Sequence, residues 1–174
     1  WEFIDGARNW ALPGLVALIM KLCAIVGADQ PSQYISVVKV VFIVVSVGTA
    51  LGTYRLSRAV GADELPAAAC ASIFSLAAPV LYFAPRAMSE NATVLPIVWG
   101  LSLVLDTSLV ERAFGATPSV HARRLLWLGA SLLGLAVLFR LQSAVVCVAI
   151  VGVLSARRQW KALRDVAAVL ALWA

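Results

Sequence analysis

From residue 34 to residue 54 the chain carries one charged side chain, Lys39, in a run dominated by Val and Ile. About 20 apolar residues in helical form cross a ~30 Å hydrocarbon core, and this run is long enough to do so. Val and Ile are strand formers in water, but a lone strand cannot satisfy its backbone in lipid, so the run is expected as helix. Similar runs recur at 67–84 and 91–110, and another begins at 166. Residues 125–156 hold a single charge, Arg140. At 1.5 Å per residue that stretch would form roughly 48 Å of helix, too long for one crossing. Two crossings meeting near Arg140 are expected, although no Pro or Gly marks the turn there. A shorter run, 13–27, is opened by Pro13 and interrupted by Lys21. It reads as an interfacial or re-entrant helix, with a short span as the second option.

The expected fold class is therefore all-α, a polytopic transmembrane helix bundle of about five spans plus an interfacial helix and a truncated last span. Residues 1–174 read as part of a single transmembrane domain. The chain is 62% hydrophobic and only 13% charged, which excludes an ordinary soluble domain. Trp1 stands where an initiator Met would, and the chain closes inside an apolar run, so a piece of a longer protein is expected. Residues 1–12 hold Glu2, Asp5 and Arg8 and lack the pattern of a signal peptide, which puts any first span upstream.

The net charge of +5 sorts by loop. Arg55, Arg58, Arg112, Arg123, Arg124, Arg157, Arg158, Lys161 and Arg164 fall on one side of the alternation. Arg8, Arg86 and Arg140 fall on the other, and Lys21 and Lys39 are unassigned. The positive-inside rule makes the first side cytoplasmic and the second, with residues 1–12 and Glu90, extracytoplasmic. No motif points to nucleic acid, a P-loop or a dinucleotide fold. The one histidine, His121, sits in a stretch read as a loop (111–124), which argues against a His-based metal site. Cys23, Cys70 and Cys147 lie in apolar segments and are expected as small buried hydrophobes.

The stretch from Tyr82 to Glu90 joins two apolar runs through Pro85. If the chain is helical from Arg86 onward, Arg86 and Glu90 are four apart and share a face. They form either an interfacial anchor, with Arg86 snorkelling to the headgroups, or a binding pair. Arginines beside span ends on one face suit an anionic lipid headgroup, because a guanidinium keeps its charge and fits phosphate oxygens bidentately.

Three elements carry a resemblance to a family. The first is Trp1-Glu2-Phe3, then Gly6, then Arg8-Asn9, then Pro13. The second is the aromatic, Pro-Arg, Ser stretch from Tyr82 to Glu90, and the third is Phe139-Arg140-Leu141-Gln142-Ser143-Ala144. In this order and spacing they resemble the Alg9-like mannosyltransferases, polytopic enzymes of the GT-C glycosyltransferase fold (family GT22). Asn9 stands where Ser is commoner in that family, and Leu141 where many members have Pro. The family's acidic loop, which carries the catalytic carboxylate, is expected upstream of Trp1, so no catalytic residue is assigned within the chain.

The resemblance implies a membrane glycosyltransferase that transfers a sugar, mannose by the family's habit, from a polyprenyl-phosphate donor to an extracytoplasmic glycan or glycolipid acceptor with inversion. It implies substrate-binding roles for Glu2, Arg8, Arg86, Glu90, Arg140 and Gln142, with Ser143 as a further hydrogen-bonding candidate. The lipid-phosphate sugar is the donor substrate, and no motif indicates a cofactor or a metal. The alternative from another class is a multi-span permease or structural membrane subunit. Arg86 and Glu90 at span ends, with Arg140 expected there too, instead of at mid-span, favour the enzyme.

Overall fold

In a computed structural model of the chain, residues 10–28, 30–115 and 119–173 are described, with the backbone alone at 107–108. The described residues are helical throughout, with short turns between elements and no strand. In order the helices are α1 (Ala11–Ile25), α2 (Pro31–Ala59), α3 (Glu64–Leu76), α4 (Ala78–Phe83), α5 (Ser89–Leu105), α6 (Thr107–Phe114) and α7 (Val120–Phe139). A 3-10 turn (Leu141–Ser143) leads into α8 (Ala144–Ala156), and α9 (Trp160–Ala171) follows. Among the described residues α2 and α7 are the two helices long and apolar enough to cross a membrane. Much apolar surface is turned outward, including Ile25, Val44, Leu51, Ile73, Val145 and Val148.

Helix α2 starts on Pro31, whose missing N–H is no loss in a first turn, while the Gln30 N–H donates to Gln33 Oε1 across 3.4 Å. Along its length the hydroxyls of Ser46, Thr49, Thr53 and Ser57 each donate to the carbonyl four residues back. These polar groups are satisfied without water. Helix α2 meets α5 through Gly48 and Gly52. Trp99 donates its indole N–H to the Gly48 carbonyl at 2.9 Å. A Cβ at Gly52 would lie 2.5 Å from Val98 Cγ2 and 2.8 Å from the Trp99 ring. Only a glycine admits that approach, so the Gly48/Gly52 pair is a packing device.

Contacts fix the helix directions. Gly48 faces Leu95 and Gly52 faces Val98, so α2 and α5 run parallel. Gly100 lies against Gly129 and Leu133, and Glu90 against Arg140, so α7 runs antiparallel to α5. Cys147 Sγ approaches the Leu133 carbonyl at 3.9 Å, so α8 folds back along α7. Asp165 meets Arg123, and Trp173 covers Gly134, so α9 runs with α7. The bundle thus has two polar ends. The Arg140 end collects Glu90, Arg86 and Gln142; the Arg157 end collects Arg55, Arg58, Asp106, Arg123 and Lys161. The core lies toward the Arg157 end, around Val104, Leu109, Leu126, Leu133, Leu154 and Val166.

Several expectations are corrected. The 67–84 run is two helices: the chain opens at Ala77 (φ −60°, ψ 128°), and Pro79 falls in the first turn of the second helix, where its missing N–H is no loss. The 91–110 run ends at Leu105, where Asp106 turns the chain and its Oδ1 accepts from the Leu109 N–H at 3.1 Å. The expected loop at 111–124 is mostly helix. Its first part completes the amphipathic α6, which buries Leu109, Val110 and Ala113 and exposes Glu111 and Arg112. Its second part opens α7, with Ser119 as cap and His121 exposed in the first turn. The three cysteines differ: Cys23 is buried, Cys147 half-buried and Cys70 exposed on the outer surface of α3. By contrast, the long 125–156 run does break at Arg140.

Candidate functional site

At the Arg140 end, α7 stops where Arg140 adopts an extended backbone (φ −155°, ψ 112°), and the 3-10 turn then redirects the chain into α8. The break puts the one charge of a long apolar run at the end of the bundle, where a guanidinium can stay hydrated instead of being buried. Arg140 Nη1 lies 2.8 Å from Glu90 Oε1, and Arg140 Nε donates to Gln142 Oε1. Two of the five guanidinium N–H donors are therefore occupied, and the others remain for a ligand. Ser89 Oγ donates to the second Glu90 oxygen at 3.2 Å. Glu90 precedes the apolar run of α5. Its own backbone N–H, then the Ser89 hydroxyl and the Arg140 charge, outweigh a modest burial penalty and hold its carboxyl below the usual range.

Arg86 is not the partner of Glu90. Pro85 ends α4, and the chain turns through Met88 before α5 begins, so the helical spacing that would put Arg86 and Glu90 on one face never forms. Arg86 lies instead over the Tyr82 ring at 4.1 Å and near Phe83 at 5.6 Å, a cation-π arrangement. Asn91 holds this turn, its Nδ2 donating to the carbonyls of Phe83 and Arg86. Its amide is thus committed to the fold, although Asn91-Ala92-Thr93 has the form of a glycosylation sequon. Ser143 is buried, at 7% exposure, and its backbone N–H donates to the Arg140 carbonyl. Glu2 and Arg8 lie outside the described residues.

An apolar groove of about 300 Å³ starts beside this cluster. Phe139, next to Arg140, and Ala92, two residues after Glu90, line it, and it continues between Leu15 of α1, Phe42 of α2, and Leu95 and Trp99 of α5. Pro96 lines it from within α5 and leaves the Ala92 carbonyl without its usual helical donor. A charged, hydrogen-bonding cluster thus stands within one or two residues along the chain of an apolar groove, the pairing of surfaces that an amphiphile with an anionic head requires. The groove is built from four helices far apart in sequence, and the one local signal for it was Pro96 within an apolar run. No group of three or more His, Cys, Asp or Glu that could hold a metal occurs among the described residues.

No protein-family model matches the chain, and no curated protein or solved structure is significantly similar to it.

Proposed function

We propose that the chain is part of a polytopic membrane glycosyltransferase of GT-C type, that its Arg140 end faces away from the cytoplasm, and that this end binds a polyprenyl-phosphate sugar donor. The observation that carries the reading is the Arg140–Glu90–Gln142 cluster at the head of an apolar groove. In this reading the free N–H groups of Arg140 take the donor phosphate, and the groove takes the first isoprene units. Glu90 and Gln142 orient the guanidinium, and Arg86, at the same end, adds positive potential.

In the transfer, the acceptor hydroxyl oxygen bonds to the anomeric carbon as that carbon's bond to the phosphate oxygen breaks, with inversion. A carboxylate takes the hydroxyl proton. The lipid phosphate leaves with the electron pair, and Arg140 stabilises the charge that develops on it. The resemblance puts the base in an acidic loop that precedes the Trp1 element, so Glu90 is given no such role.

The test is binding of a fluorescent polyprenyl phosphate to the intact protein in nanodiscs. A charge-assisted hydrogen bond is worth about 1.5–3 kcal/mol, so Arg140→Ala should weaken binding by roughly ten- to a hundredfold. Arg140→Lys, which keeps the charge and loses the fork, should fall between the two. Unchanged affinity in Arg140→Ala would overturn the assignment.

A further inference from the structure

At the opposite end of the bundle, three arginines from distant parts of the chain face one concavity. Arg55 and Arg58 come from the last turns of α2, and Arg157 from the end of α8; Val60, Gly61 and Asp106 complete the wall. The pocket has a volume of about 440 Å³. Each guanidinium is steadied by one contact. Arg55 lies over the Trp99 ring at 5.5 Å, Arg58 Nη1 donates to the Ala62 carbonyl at 3.0 Å, and Arg157 Nη1 reaches the Leu105 carbonyl at 3.5 Å. A guanidinium has five N–H donors, so each retains several for a ligand. Asp106 is the carboxylate among the lining residues, and its Oδ1 is engaged in capping α6. Three positive charges against one leave the pocket strongly cationic.

A topology signal needs basic residues on one side of a membrane but not their convergence. Here residues about a hundred positions apart in sequence are gathered in one hollow by the packing of α2 on α5, of α5 on α7 and of α8 back along α7. We infer that this pocket is a phosphate-binding site for the headgroup of an anionic phospholipid or for a free phosphate compound. Guanidinium forks match phosphate oxygens, and basic pockets between helices near a membrane surface bind such headgroups. The inference is independent of the sugar-transfer reading.

The experiment uses the intact chain in nanodiscs of phosphatidylcholine. In one arm phosphatidylglycerol is added and retained lipid is read by native mass spectrometry; in the other, inorganic pyrophosphate is titrated and read calorimetrically. The pocket variant is Arg55→Gln/Arg58→Gln/Arg157→Gln. The matched control is Arg124→Gln/Lys161→Gln/Arg164→Gln, which removes the same charge from the same end. Loss of phosphatidylglycerol retention by about tenfold or more in the pocket variant alone supports a lipid headgroup. A comparable loss of pyrophosphate affinity in that variant alone supports a free phosphate ligand. Equal losses in the two variants, or no binding of either probe to the unmodified protein, would overturn the proposal. If the triple variant fails to fold, Arg157→Gln alone should weaken whichever probe binds by about threefold, since it removes one of three cations, and an unchanged affinity refutes the site.

Discussion

Gly100→Ala should destabilise the protein, although alanine is the better helix former. A Cβ at Gly100 would lie 2.8 Å from the Gly129 carbonyl oxygen, 2.8 Å from Leu133 Cγ and 3.0 Å from Leu133 Cδ2. The leucine can rotate, but the carbonyl belongs to the α7 backbone and moves only with the helix. Restoring an ordinary carbon-oxygen contact requires α5 and α7 to separate by roughly 0.6 Å, which costs the surrounding side chains part of their dispersion contact. Overpacking of this kind costs about 1–3 kcal/mol. Replacing glycine in a helix returns about 0.5–1 kcal/mol, so a net loss of up to about 2.5 kcal/mol is expected. Gly152→Ala in α8 is the control, because nothing lies within 4 Å of the added Cβ and only the gain remains. The assay is thermal unfolding of the detergent-solubilised protein. If Gly100→Ala is as stable as Gly152→Ala, the close helix contact is refuted.

Three further predictions rest on single contacts. Arg123 Nε is 2.7 Å from Asp165 Oδ2, with Asp165 at 7% exposure and Arg123 at 44%. Arg123→Ala takes the shortest partner from a buried carboxylate, leaving it Trp127 Nε1 at 3.3 Å and Arg164 at 3.6 Å, and should cost about 1.5–3 kcal/mol in unfolding free energy, whereas Asp165→Ala leaves an arginine that turns to water and should cost about 1 kcal/mol. The Asp165 carboxyl, just ahead of the last apolar run, is raised by burial but lowered more by the Arg123 and Trp127 hydrogen bonds and the charges of Arg123 and Arg164, leaving it below the usual range. With the folded value depressed, its stabilisation is present above the unfolded pKa of about 3.9 and is lost as pH falls through the folded value. Acid titration of the melting temperature should therefore fall less steeply in Asp165→Asn. Asn91→Ala removes both donors that hold the 83–86 turn and should cost about 1–2 kcal/mol in the same melting assay, while Asn91→Asp, which sets a carboxylate against the same two carbonyls, should cost at least as much.

The positions of the apolar helices were legible from composition and run length, because a run much longer than one crossing must break somewhere and Arg140 was the only charge in it. Features that depend on cost at one residue were partly hidden. Pro79 was as visible as Pro85, yet it sits within an apolar run with no charge or polar residue to mark a turn. The apolar face of α6 was masked by Glu111, Arg112 and the nearby basic residues, so an amphipathic helix read as a polar loop. The Arg86–Glu90 pairing failed because the four-residue rule holds only within a continuous helix, and the turn before Ser89 interrupts it. Arg86, Glu90, Arg140 and Gln142 were identified as candidates, but their grouping was not, since the Glu90 partner is fifty positions away.

Both polar clusters follow from the same constraint. In a chain this apolar most ionisable groups collect at helix ends, Lys21 of α1 and Lys39 of α2 being exposed exceptions, and packing decides which ends meet. The glycine contact between α5 and α7 therefore bears on chemistry as well as stability. Gly100 and Gly129 set the spacing of two antiparallel helices whose far ends carry Glu90 and Arg140, and the ends of α2, α5 and α8 on the opposite side form the arginine hollow. Because α5 and α7 run side by side from Gly100 to their Glu90 and Arg140 ends, a change that forces them apart at Gly100 should loosen the Glu90–Arg140 contact with no substitution at either residue. Gly100→Ala should for this reason weaken polyprenyl-phosphate binding as well as lower the melting temperature, whereas Gly152→Ala should do neither.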